Sequence, residues 1–136
     1  MVDDNEHGLV ARKNVLKQHG FDSVTATSAE AGLDLLHERH FDLVVTDYKM
    51  GGMDGIAFIA HLRVRCPGTP VILLSGFVDT LGLDESSTGA DAVLSKSATE
   101  ASALVRTVNR LLTRRPSRKP VGKEIRAKAL AARIAG

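Results

Sequence analysis

The residues of this chain that could do chemistry together lie far apart in the sequence. Asp3 and Asp4 follow the first two residues, Asp47 closes the run "LVVTD", Ser75 closes "VILLS", and Lys96 closes "AVLSK". From Asp4 to Asp47 is 43 residues, from Asp47 to Ser75 is 28, and from Ser75 to Lys96 is 21. Each interval is about one strand–helix–strand unit. Clustered carboxylates repel one another until a hard divalent cation joins them, and Mg²⁺ prefers oxygen ligands. A lysine adds a second positive charge and a hydroxyl donates a hydrogen bond. Together they suit an anionic phosphoryl group attached or transferred to a carboxylate nucleophile.

Positioning these side chains requires elements that end in one place. Short β-branched runs occur at 23–27, 43–47, 71–76 and 92–96, and the third is nearly all apolar, as for a strand buried on both faces. Between them, residues 6–19, 28–39, 54–65 and 98–112 have helical character. Ser28 is placed to N-cap the second stretch, and Ser97-Ala98-Thr99-Glu100 has the form of a capping box for the last. In that last stretch Ala101, Leu104, Val105, Val108, Leu111 and Leu112 form an amphipathic stripe. Strand alternating with helix predicts a doubly wound α/β domain, whose ligands bind outside the carboxyl ends of its parallel strands.

Two regions fit this scheme poorly. "VDTLGLDESSTGAD" stands where a fourth helix belongs, yet it is rich in weak helix formers, which predicts a short or mobile helix. Only Met1 and Val2 are available as a strand before the acidic pair. Losing three or four buried aliphatic side chains there would cost roughly 5–10 kcal/mol, comparable to a domain's whole stability of about 5–15 kcal/mol. The expectation is a marginal chain, or a strand supplied from upstream or from a neighbouring molecule.

The 136 residues suit one domain with an appendage. A hydrophobic content of 43% with 4% aromatics and no Trp predicts an aliphatic core. The lone Cys66 excludes a disulfide framework and a cysteine-rich metal site, and fits a reducing compartment. No signal-peptide pattern and no membrane-length apolar run is present, so the expectation is a cytoplasmic protein. The net charge of +2 hides a division: residues 1–113 carry 10 Lys and Arg against 15 Asp and Glu, while residues 114–136 carry 8 against 1. The tail predicts a basic Pro-containing linker followed by a possible short helix, with Ala127, Leu130, Ala131 and Ile134 on one face. A solvated extension, docking onto the acidic globule or a partner, and weak nonspecific contact with nucleic acid are its three readings. Without a helix-turn-helix pair it is too small for a DNA-binding effector domain.

Taken in order, "VDDNE", "LVVTDYKMGGMDG", "VILLSG" and "GADAVLSKS" resemble the receiver domain of two-component response regulators, here of the single-domain type. The resemblance covers residues 1–113 and implies a flavodoxin-like five-stranded parallel sheet of order 2-1-3-4-5, with its first strand truncated in this chain. By residue, it implies that Asp47 is the phospho-acceptor and that Asp3, Asp4, Asp47 and the Lys49 backbone carbonyl hold Mg²⁺. Ser75 matches the hydroxyl that bonds the phosphoryl group, Gly76 the small residue after it, and Lys96 its lysine partner. A sensor histidine kinase or phosphotransfer protein is the implied donor, with an output protein that the sequence does not name.

Three positions depart from the family pattern. Gly51 replaces a usual proline and predicts a more flexible loop, and Ser97 follows the lysine where proline is common. Val93 replaces an aromatic ring that reorients on phosphorylation, so signalling must use backbone shifts or the fourth-helix segment. Lys49 and Phe77 are expected to slow hydrolysis of the acyl phosphate. These departures leave a phosphorylation-independent interaction module as the rival reading. A phosphohydrolase of the haloacid dehalogenase type needs an acidic residue two positions after its nucleophile, where Lys49 stands.

Overall fold

The computed structural model describes residues 1–76, 82–97 and 99–113, together with the backbone of 134–135. Three parallel strands form its centre: β1 (Leu43–Asp47), β2 (Val71–Ser75) and β3 (Ala92–Ser95). Every residue of β1 and β2 is buried, as their apolar runs require. Side chains alternate across the sheet, so Leu43, Val45, Ile72 and Leu74 share one core with Leu9, Leu16, Leu104 and Val108. Val44, Val71 and Leu73 share the other with Phe58, Ile59 and Leu62.

The helices begin where the sequence offers caps. Asn5 caps α1 (Glu6–Gln18) by accepting from the Gly8 N–H, Ser28 caps α2 (Ala29–Glu38) through Ala31, and Asp54 caps α3 (Gly55–Arg65) through Ala57. The expected weak fourth helix is the four-residue α4 (Glu85–Thr88). Its Asp84–Ser87 capping box starts it, and Gly89, at φ 80°, ends it in the left-handed conformation. In α5 (Glu100–Thr113) the predicted stripe buries Leu104, Val108 and Leu111. Its start differs from expectation: Glu100 is the first helical residue, and its carboxylate turns to Arg12 instead of closing a box with Ser97.

The edge of the sheet differs in part from expectation. Among the described residues the order is β3-β2-β1-β4, where β4 (Ile134–Ala135) runs parallel to β1 opposite Leu43 and Val44. The run 23–27 is no full strand, so three of the five expected parallel strands are seen among the described residues, and the order 2-1-3-4-5 is neither completed nor contradicted. Instead Val2 makes single parallel bridges to Thr46 on one side and Ala26 on the other. Met1 and Val2 are the two residues that stand before Asp3. Those two are built in, both 1% exposed, with the Val2 N–H donating to Val45 O and Val2 O accepting from the Asp47 N–H, each at 2.8 Å. The proposed helical face of the tail is corrected at Ile134, whose backbone is extended; Ala127, Leu130 and Ala131 lie outside the described residues.

Gly55 sets the distance between α3 and β1. A Cβ there would strike the Asp47 carbonyl and lie 2.9 Å from Tyr48 Cα, and the Gly55 N–H bonds the Tyr48 carbonyl at 2.7 Å. Gly55→Ala should therefore cost about 1–3 kcal/mol in urea unfolding, the usual penalty for overpacking. Gly68→Ala, with nothing within 4 Å, should be close to neutral.

Candidate functional site

The carboxyl ends of β1, β2 and β3 bring the predicted residues to one place. Asp47 ends β1 and Ser75 ends β2, and Lys96 follows β3. The Lys96 N–H donates to the Ser75 carbonyl at 3.0 Å, which aligns the two strand ends. Asp3 enters from the Val2 bridge, its own N–H bonded to Ala26 O at 3.1 Å. One oxygen each from Asp3, Asp4 and Asp47 lies within 4.8 Å of the others.

Lys96 joins two of these carboxylates, with Nζ 2.8 Å from Asp47 Oδ1 and 3.5 Å from Asp3 Oδ2. Asp3 Oδ1 accepts from the Asn5 N–H at 3.0 Å, and Oδ2 accepts from Arg12 Nη1 at 2.8 Å. Arg12 in turn donates through Nε to Glu100 Oε2 at 2.7 Å. Asp4 is exposed, and its Oδ2 accepts from the Gly51 N–H at 3.1 Å. A proline at 51 has no N–H to give, so this departure supplies a hydrogen bond that the family's usual residue cannot.

Ser75 is buried, Gly76 is the exposed turn residue after it, and Lys49 has an exposed side chain two residues beyond Asp47. Val93 is half-buried, and its N–H donates to Glu85 Oε2 at 3.1 Å. Phe77 lies outside the described residues.

The electrostatics divide the carboxylates. Burial, the largest influence on Asp3, pushes its pKa up, but the Asn5 N–H, Arg12 and Lys96 together pull it below its ordinary value. In Asp47 burial again raises the pKa; the Lys96 hydrogen bond opposes this, the Asp3 charge adds to it, and the carboxyl ends above its ordinary value. The groups linked here are four carboxylates (Asp3, Asp4, Asp47, Glu100) and two cations (Arg12, Lys96). The excess of two negative charges and the all-oxygen donor set fit one hard divalent cation such as Mg²⁺, with exposed Asp4 leaving room for the waters it retains.

Three contributors were not foreseen from the sequence: Asn5, Gly51 and above all Arg12. Its signal is nevertheless present. Leu9, Arg12 and Leu16 are the buried residues of α1 at spacings of three and four, so a charged residue stands on that helix's inward stripe.

A family model for the response regulator receiver domain matches residues 1–109. The chain belongs to that family. Among solved structures, this receiver domain is similar to the receiver domain of the Francisella response regulator 1452, at 30% identity and a TM-score of 0.75, covering 83% of this chain and 93% of that one. It is also similar to response regulator protein TrrA from Thermotoga maritima, determined in complex with Mg²⁺-BeF, at 28% identity and a TM-score of 0.72, covering 81% and 94%. Among curated proteins it is 37% identical over 75 residues to the transcriptional regulatory protein GlrR of Escherichia coli K12. That match covers 55% of this chain and 17% of the relative. This receiver domain thus spans less than a fifth of the length of such relatives.

The raised Asp47 pKa has a stability consequence. The folded state binds the Asp47 proton more readily than the unfolded state does, so this group's contribution falls as pH rises above the ordinary carboxylate range. Asp47→Asn should raise the thermal midpoint at pH 7. The gain should shrink as pH is lowered into the carboxylate range, where the wild-type side chain takes up its proton. Thermal unfolding of both proteins across that pH range checks it.

Proposed function

We propose that this receiver domain is a phospho-acceptor that takes a phosphoryl group on Asp47 from a phosphohistidine of a sensor histidine kinase or phosphotransfer protein. The observation that carries the reading is the 2.8 Å contact between Lys96 Nζ and Asp47 Oδ1 beside a trio of carboxylate oxygens within 4.8 Å. An Asp47 oxygen attacks phosphorus as the phosphorus–nitrogen bond to the donor imidazole breaks, and the imidazole leaves as the neutral ring once protonated. Lys96 pairs with the phosphoryl oxygens, and Ser75 with Gly76 supplies hydrogen bonding and room at the same end of the sheet. Asp3, Asp4, Asp47 and the Lys49 carbonyl would hold Mg²⁺, which when bound supplies positive charge to the transferring group. Attack by water on the acyl phosphate returns free Asp47 and inorganic phosphate, and Lys49 slows that step by impeding water.

The reading extends to organisation. Residues 1–113 act as the receiver and 114–136 as a basic appendage, with output through an unidentified protein partner and no turnover of a small substrate. Because Val93 has no ring to reorient, the output surface responds through backbone shifts or through the fourth-helix segment.

Incubation with acetyl phosphate, with and without Mg²⁺, and intact-mass measurement tests the proposal. The expected result is one added phosphoryl group that requires Mg²⁺ and is lost in Asp47→Ala. A folded protein that takes up none under either condition overturns the acceptor reading and favours the interaction module. A phospho-form that decays no more slowly in wild type than in Lys49→Asn removes the role given to Lys49.

A further inference from the structure

We propose that Arg12 is a positioning residue that ties the acidic pocket to the start of α5 and weakens the pocket's hold on Mg²⁺. The inference rests on the Mg²⁺ reading above.

Arg12 is 9% exposed and takes an inward place on α1 between Leu9 and Leu16. Burying a guanidinium is costly unless every charge has a close partner, and Arg12 has two: Asp3 Oδ2 at 2.8 Å and Glu100 Oε2 at 2.7 Å. Space for it comes from Gly8, one turn earlier, where an added Cβ would lie 3.1 Å from Arg12 Nη1. The small residue, the buried cation and the acid at the head of α5 form one arrangement built from two helices.

Its effect on the pocket follows from which atom it uses. Asp3 Oδ2 already accepts from Arg12 and faces Lys96 at 3.5 Å, while Oδ1 is bonded to the Asn5 N–H. A divalent cation drawn to Asp3 must share that carboxylate with a fixed positive charge, and partial burial keeps the repulsion from being screened by solvent. Glu100 moderates this by holding the other side of the guanidinium. As Asp3 turns toward a cation, Arg12 is left to Glu100, so the state of the pocket reaches the first residue of α5 without an aromatic switch.

Calorimetric titration with MgCl₂ on four full-length proteins tests it: wild type, Arg12→Met, Glu100→Gln and the double variant. Arg12→Met should tighten Mg²⁺ binding about tenfold, equivalent to about 1.4 kcal/mol. Glu100→Gln should weaken it, because Arg12 then leans wholly on Asp3. In the Arg12→Met background Glu100→Gln should have no effect, which separates action through Arg12 from a direct field of Glu100. Unchanged or weaker binding in a cooperatively folded Arg12→Met, or a Glu100 effect that persists without Arg12, overturns the inference while leaving the Mg²⁺ site standing. If Arg12→Met does not fold, Glu100→Gln decides alone, and unchanged or tighter binding overturns it. Absence of Mg²⁺ binding in all four overturns the metal reading together with this one.

Discussion

Charge that is partly removed from water must be paired, and that constraint organises the upper end of this sheet. Glu100, Arg12, Asp3, Lys96 and Asp47 form a continuous alternating chain of negative and positive groups, each contact between 2.7 and 3.5 Å. Unpaired, any of the buried members would carry a penalty of several kcal/mol. Paired, they hold three carboxylates closer together than solvent-exposed acids would remain. The chain also links elements that the backbone ladder does not: α1, the segment after Val2, the ends of β1 and β3, and the head of α5.

The backbone supplies what the charges cannot, namely register. Val2 is bonded to β1 on one side, and its neighbours Met1 and Asp3 are bonded to Ala26 on the other, through Met1 O and the Asp3 N–H. One residue of bridge is enough to set Asp3 beside Asp47, because the parallel pairing leaves no freedom along the strand direction. Gly55 acts from below: its close approach to the Asp47 carbonyl lets α3 pack against the end of β1 that carries Asp47. Main-chain geometry thereby fixes the acid trio, and burial together with the ion pairs then sets Asp3 and Asp47 apart.

The departures from the family pattern acquire physical content in this frame. Gly51 supplies an N–H to Asp4 that proline could not. The missing proline thus gives the exposed Asp4 carboxylate a backbone donor. Val93 leaves β3 without a ring, and the Glu100–Arg12 link provides a different connection between the pocket and α5. Position 100 was legible as a capping residue; it is instead the first residue of α5 and the ion-pair partner of Arg12.

By itself the sequence determined the alternation of strands and helices, the cap at Ser28, the weakness of the fourth helix, and the four fragments whose order places Asp3, Asp4, Asp47, Ser75 and Lys96 at one sheet end. These are properties of local pattern and spacing, which one chain carries without reference to its partners in space. Only the tertiary structure decided the strand order at the β1 edge, where Ile134–Ala135 and Val2 share the line beside Leu43–Thr46. It also decided the role of Arg12, 88 residues from Glu100. A buried ion pair has no sequence period, since its partners are chosen by packing and by the energetic need to leave no charge alone.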